Sequence, residues 1–186
     1  MAKFDFHDLT TAPPASKPIL EGVAKELGFV PALYAGLAES PTALRIYLDT
    51  SRAFGASSLT PVEQQVVLLA VSVANGCEFC VAAHSFIARN LVKVPSPVVD
   101  ALRAKGRLPD SRLHELAQFT RRVVTDRGWV PDAAVEEFLS AGFTRAQVLD
   151  VIVGVSHKTL SNYANHLLRT PVDPAFASEV WSSVGA

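Results

Sequence analysis

The sequence predicts an all-α domain, on three observations. No stretch alternates apolar and polar residues with period two, and the single Asn-Gly pair, Asn75-Gly76, does not join two strand-like runs. Helix-start signals recur: Ser40-Pro41, Thr60-Pro61 and Ser96-Pro97 each place an N-cap residue before a proline suited to the first helical position. Asp110 and Thr144 add two further N-caps ahead of long helical patterns. In order, helices are expected near 17–28, 31–38, 41–54, 61–75, 77–90, 97–105, 111–127, 131–140, 144–168 and 174–182. The N-terminal dozen residues read as an arm laid over the body or over a partner. A faint echo relates Leu59–Phe79 to Phe143–Tyr163: Thr60/Thr144, Val67/Val151, Val71/Val155 and Ser72/Ser156 coincide, and Ser161 and Ala164 fall where the first segment leads into Cys77 and Cys80. On this pattern two related helical hairpins are expected, only one of them reactive.

A length of 186 residues fits one domain spanning 1–186. Apolar residues make up 49% and charged residues 19%, against about 25% charged in a typical globular chain. Mean hydropathy is +0.24. Such a chain either has a large core or hides apolar surface against another subunit, and a homo-oligomer is expected. With 17 basic and 18 acidic residues and no basic stripe, nucleic acid is not an expected partner. The first residues lack a signal peptide's apolar region, and the longest apolar run, Val66–Val71, is too short to span a bilayer. No membrane is therefore expected as a partner, and the expected location is cytoplasmic. There a cysteine pair rests as dithiol and cycles.

The chain has two cysteines, and they form one C-E-F-C pair, Cys77 and Cys80, with His84 one turn further on. A domain of this length needs no disulfide to hold its core. On a helix, residues three or four apart lie on one face with Cβ atoms about 5–6 Å apart, so a small adjustment brings the pair to the 3.5–4.5 Å of a disulfide. Asn75-Gly76 reads as a helix break. A new helix starting there would put both thiols in its first turn, where unpaired N–H groups favour a thiolate, the nucleophilic form. His84 could take the thiol proton or pair with the thiolate. Core packing of small residues and a zinc site completed by His157 or His166 are the alternatives. Structural zinc wants four ligands, and only Cys77, Cys80 and His84 are local.

The stretch L-T-P-V-E-Q-Q-V-V-L-L-A-V-S-V-A-N-G-C-E-F-C-V-A-A-H, residues 59–84, resembles the signature of the alkylhydroperoxidase D (AhpD) / carboxymuconolactone decarboxylase family. More narrowly it is similar to the peroxidase-related branch with C-x-x-C-x-x-x-H, as is the later K-T-L-S-N-Y-A-N-H…T-P-V-D-P-A-F, residues 158–176. The resemblance implies an all-α fold assembling into trimers or hexamers, a dimer remaining open, and thiol-dependent reduction of organic hydroperoxides without a bound cofactor or metal. It casts Cys80 as peroxidatic, Cys77 as resolving and His84 as part of a proton relay. It also implies a lipoyl-protein or thioredoxin-like reductant for the disulfide.

The match departs from the family pattern at the relay. The glutamate expected twelve residues before the first cysteine is Gln65, an amide that accepts no proton near neutral pH but can orient a water. Full peroxidase activity is therefore in question. Phe79 stands where a further relay histidine lies. Glu63 is close, yet Thr60-Pro61-Val62-Glu63 is a capping box, so its carboxylate has a local role with or without a share in the site. His166 is read as a structural histidine, with a place in the pocket wall as the alternative, Tyr163 as a packed aromatic, and Asn162 and Asn165 as partners of backbone groups at a helix crossing. Two other functions stay open. One is a non-catalytic, redox-sensing helical oligomer. The other is a lactone decarboxylase or hydrolase, needing an acid/base and an arginine anchor such as Arg45, Arg52 or Arg89.

Overall fold

The computed structural model describes residues 4–183, and among them every regular element is helical. The elements are α1 (Lys17–Leu27), α2 (Ala32–Leu37), α3 (Pro41–Gly55), α4 (Pro61–Ala74), α5 (Glu78–Phe86), α6 (Ser96–Arg103), α7 (Ser111–Thr125), α8 (Asp132–Ser140) and α9 (Arg145–Leu168). α5 runs on through a π-helical turn, Ile87–Val92, and a 3₁₀ segment, Pro174–Glu179, closes the chain. Every helix expected from the sequence is present. The last is a 3₁₀ turn, and the fifth changes to π geometry where Arg89 is drawn outward to Asp100 and Glu179.

α4 is the axis of the fold. Its N-cap Thr60 and Glu63 form the capping box, and Val66 to Val73 are all buried. A helix apolar on every side must be wrapped, and α5, α6, α7 and α9 pack around it. Each fully buried Val or Leu there contributes about 1.5–3 kcal/mol relative to exposure. α9 approaches closely because Gly154 has no Cβ: one would lie 2.7 Å from Phe54 Cε2 and 2.8 Å from Val67 Cγ1. The main core joins α4 to α6–α9. A second core, from α1, α2, α3 and α5, encloses Cys77, Phe79, Cys80 and Ala83.

α4 and α9 begin alike, with capping boxes at Thr60/Glu63 and Thr144/Gln147. The structural likeness ends where α4 ends. α9 continues unbroken where α4 stops, because Thr159-Leu160 stand in the register of Asn75-Gly76. The second helical hairpin expected from the echo is therefore one straight helix. Of the N-terminal arm, residues 1–3 lie outside the described ones. The rest lies on the body, His7 donating its backbone N–H to Ala35 O at 3.1 Å. Among the described residues no single helix is long and apolar enough to cross a membrane.

Candidate active site

The cysteines are placed by the way α4 ends. Gly76 adopts a left-handed φ of +67°, which glycine takes without strain. The Cys77 N–H then bonds Ser72 O at 2.9 Å and the Gly76 N–H bonds Val73 O at 3.2 Å, a Schellman closure. This turn makes Cys77 the N-cap of α5 and puts Cys80 in its first turn. Both cysteines are free thiols, each 1% exposed.

α9 supplies the groups that act on them. Asn165 Nδ2 donates to Cys80 Sγ at 3.2 Å and approaches Cys77 Sγ at 3.7 Å. Lys158 is 1% exposed, and its Nζ lies 3.0 Å from His84 Nε2. None of the side-chain ion pairs among the described residues gives Lys158 a carboxylate. An ammonium has only donors, so Nε2 of His84 accepts. The neutral ring then carries its proton on Nδ1, which donates to Gln65 Oε1 at 3.2 Å. Lys158, His84 and Gln65 thus form one hydrogen-bonded chain.

The charges follow from this arrangement. Burial raises the Cys80 thiol, but hydrogen bonding from Cys77 together with the charge and hydrogen bond of Lys158 outweigh it, and Cys80 is held well below the ordinary thiol range. Cys77 goes the other way, raised by the hydrogen bond it shares with Cys80 and by burial, so it remains a thiol. His84 is driven well below the usual histidine value by burial, then by the charges of Lys158 and His157, so it is neutral. His157 falls to about 3 for the same reasons, burial first and Lys158 second. It stacks on Tyr47 at 4.7 Å and shares a 3.0 Å hydrogen bond with Thr50. A buried ammonium needs a counter-charge, and the Cys80 thiolate is the anion available to Lys158.

Cys80, His84, Gln65 and Lys158 meet at one end of a 290 Å³ cavity whose other walls include Leu33, Tyr34, Phe54, Leu68, Phe79 and Phe176. Phe176 is held there because Arg103 and Arg89 pair with Glu179 of the same 3₁₀ segment, while Asp173 caps α2 through the Ala32 N–H.

The structure brings Cys77, Cys80, His84 and Gln65 together and leaves two sequence candidates outside. Glu63 faces away from the cavity, because residues two apart on a helix do not share a face. Its Oε2 accepts the Thr60 N–H at 2.8 Å, and Oε1 is held by Arg112 at 3.0 and 3.1 Å. His166 is exposed and lies on the far side of Asn165, with Tyr163 stacked on it in solvent and not packed. Asn162 and Asn165 bond Asn75 and the cysteines, not backbone groups. Arg45, Arg52 and Arg89 do not line the cavity. His157 and His166 lie on different sides of α9, and no group of three or more His, Cys, Asp or Glu side chains among the described residues is arranged for a metal.

Sequence reasoning missed Lys158. A signal was present: Val151, Gly154, Lys158, Ser161, Asn162 and Asn165 recur at helical spacing, and all are buried. Small and polar residues on the inward face of a long helix mark a face built for something other than packing.

Comparison with known proteins agrees with this fold. Residues 38–106 match the profile of the carboxymuconolactone decarboxylase family. An alkylhydroperoxidase AhpD core structure, an uncharacterized peroxidase-related protein from Ralstonia eutropha JMP134, aligns at 26% identity and a TM-score of 0.82 over 94% of this chain and 93% of its own. Over residues 38–106 and in fold, the chain resembles AhpD-like proteins of the carboxymuconolactone decarboxylase family. An uncharacterized peroxidase-related protein from Silicibacter sp. TM1040 shares the AhpD-like fold at 20% identity, with a TM-score of 0.78 over 96% and 98% of the two chains. The debrominase Bmp8 shares it at 15% identity and a TM-score of 0.73, over 89% and 90%. No curated protein matches the sequence.

Proposed function

We infer that this AhpD-like protein reduces organic hydroperoxides through a Cys77/Cys80 dithiol–disulfide cycle. The observation that carries the reading is the buried Lys158 ammonium, which has no carboxylate partner among the described residues and sits beside Cys80 at the wall of an apolar cavity. Peroxide chemistry needs a thiolate, an oxidant site and a second thiol within reach. The Cys80 sulfur attacks the distal oxygen of ROOH. An S–O bond forms, the O–O bond breaks, and RO⁻ leaves with a proton from the Lys158 ammonium or water as ROH. Cys77 then attacks the Cys80 sulfenic acid, the S–S bond forms and water leaves. A dithiol reductant returns two electrons and two protons. His84, neutral and pinned by Gln65, orients Lys158.

The aromatic walls of the cavity, Tyr34, Tyr47, Phe54, Phe79 and Phe176, support a second reading. The same thiol pair could reduce a halogenated aromatic ring, the substrate class of the debrominase.

Intact-mass analysis before and seconds after one equivalent of cumene hydroperoxide tests the first reading. The expected result is rapid loss of two hydrogens with the bridge mapped to Cys77–Cys80. No change over minutes, with loss on adding 2,3,4-tribromopyrrole, would favour the second.

The assembly is proposed to be a homo-oligomer closed through α9. Leu149 at 67% and Leu167 at 75% exposure lie on one stripe with Val153 and Tyr163, an apolar face that a second copy would cover. Sedimentation should give a mass above one chain, reduced to one chain in the double variant Leu149→Lys, Leu167→Lys. A monomeric parent would reject the proposal.

A further inference from the structure

Cys77 and Cys80 face different openings. Cys80 lines the apolar cavity, and Cys77 does not. Cys77 instead borders a second cleft of 320 Å³ that includes Gly76, Glu78, His166, Arg169 and Thr170. Phe79 lines both spaces, and Asn165, whose Nδ2 reaches both sulfurs, lines the second cleft. The Asn165 side chain is buried, and its Oδ1 has no hydrogen-bond partner among the described residues. A buried acceptor left unpaired is costly, and an S–H or O–H entering the cleft would satisfy it.

We propose that the reductant enters through this second cleft and attacks Cys77 Sγ, so that oxidant and reductant reach one disulfide from separate openings. The proposal rests on the dithiol–disulfide cycle inferred above. Its chemistry is a balanced exchange. A donor thiolate forms a bond to Cys77 Sγ, the Cys77–Cys80 bond breaks, and Cys80 departs as thiolate beside Lys158. The donor's second thiol then attacks its own mixed-disulfide sulfur, and Cys77 leaves and takes up a proton. Exchange favours departure of the thiolate with the lower pKa. Lys158 acts on Cys80 by charge and by hydrogen bond but on Cys77 by charge alone, and Asn165 Nδ2 lies closer to Cys80 Sγ, at 3.2 Å, than to Cys77 Sγ, at 3.7 Å. Attack at Cys77 is therefore the productive direction, and the second cleft gives it a route. Because Cys77 is recessed, the donor is a dithiol on a slender arm or a small dithiol, not a flat protein surface. Separate openings also let the alcohol product leave the cavity while reduction proceeds.

The test forms the bridge with diamide, so it does not depend on peroxide reactivity. The oxidised protein is then treated with cysteamine, quenched in acid and mapped. The expected mixed disulfide is on Cys77; one on Cys80 would overturn the proposal. In parallel His166→Trp, at an exposed helical position, fills the cleft. Reduction of the bridge by dihydrolipoamide should slow by at least about tenfold, with oxidation by cumene hydroperoxide at the parent rate. Equal slowing of both half-reactions, or of neither, in a variant with native circular dichroism would also overturn it. If diamide forms the bridge and cumene hydroperoxide does not, the peroxide reading fails and the cleft test stands.

Discussion

Cys80→Ser should lower hydroperoxide turnover on the order of 10³-fold or more, the scale on which removal of a nucleophile acts. The site is tuned to stabilise a sulfur anion: Asn165 Nδ2 lies 3.2 Å from Cys80 Sγ, and Lys158 acts on it by charge and hydrogen bond. A serine hydroxyl at the same place stays protonated at neutral pH and does not attack a peroxide oxygen. Cys77→Ser should behave differently. It keeps the thiolate and loses its resolving partner, so one equivalent of peroxide should be consumed quickly and leave Cys80 as a sulfenic acid. A dimedone adduct on Cys80, found by peptide mass mapping in Cys77→Ser and missing in Cys80→Ser, would establish the order of the two sulfurs. Full turnover in both variants would remove the pair from the mechanism.

The asymmetry between the two thiols is the part of the site least legible in the sequence. The helices were legible because their starts are chemical: Thr60 with Glu63, Thr144 with Gln147, and Ser40 and Asp110 as N-caps all appear in the structure as the residue types require. The break before the cysteines was legible for the same reason, since glycine after Asn75 is what a left-handed helix end takes. The cysteines, His84 and Gln65 lie within twenty residues of one another, so local spacing suffices to place them on neighbouring faces. Lys158 and Asn165 are more than seventy residues away from Cys80. Only the approach of α9, allowed by Gly154, carries them to the thiols. Helical periodicity shows that they face inward, but not that they meet Cys80. Glu63 misled in the opposite sense: proximity in sequence suggested the site, and Arg112, far along the chain, claims its carboxylate.

Lys158→Met tests whether the buried cation makes the thiolate. Methionine fills nearly the same volume with no charge. Without the ammonium, the burial that raises the Cys80 thiol is opposed only by neutral hydrogen bonds. The parent's rate should fall only as pH drops through the lowered Cys80 value, below the range in which an ordinary thiol titrates. In the variant the Cys77 hydrogen bond still lowers the Cys80 thiol, but the lowering by Lys158 is gone, so the thiol should titrate higher than in the parent and a smaller share is thiolate at pH 7. A more basic thiolate is intrinsically more nucleophilic, which offsets part of this loss. The departing alkoxide, however, also loses the cation that neutralises it, an electrostatic contribution on the order of 10²-fold or more. The net expectation is at least about a 10²-fold lower rate at pH 7, with a rate that climbs as pH rises. Stopped-flow oxidation measured from pH 5 to 9 gives both quantities, and an unshifted profile would place the thiolate's stabilisation elsewhere. Stability should fall with reactivity. Removing one partner of a buried pair leaves the other uncompensated, and His84 Nε2 loses the donor that lies 3.0 Å from it. A depressed thiol pKa adds stability that is full above the unfolded value of about 8.5 and is lost as pH falls through the folded value. Lys158→Met gives up part of that contribution. Its melting temperature at pH 7 should therefore lie below the parent's, and the gap should narrow as pH falls. A lysine that holds a thiolate and a neutral histidine in place ties the reactivity of the site to its stability.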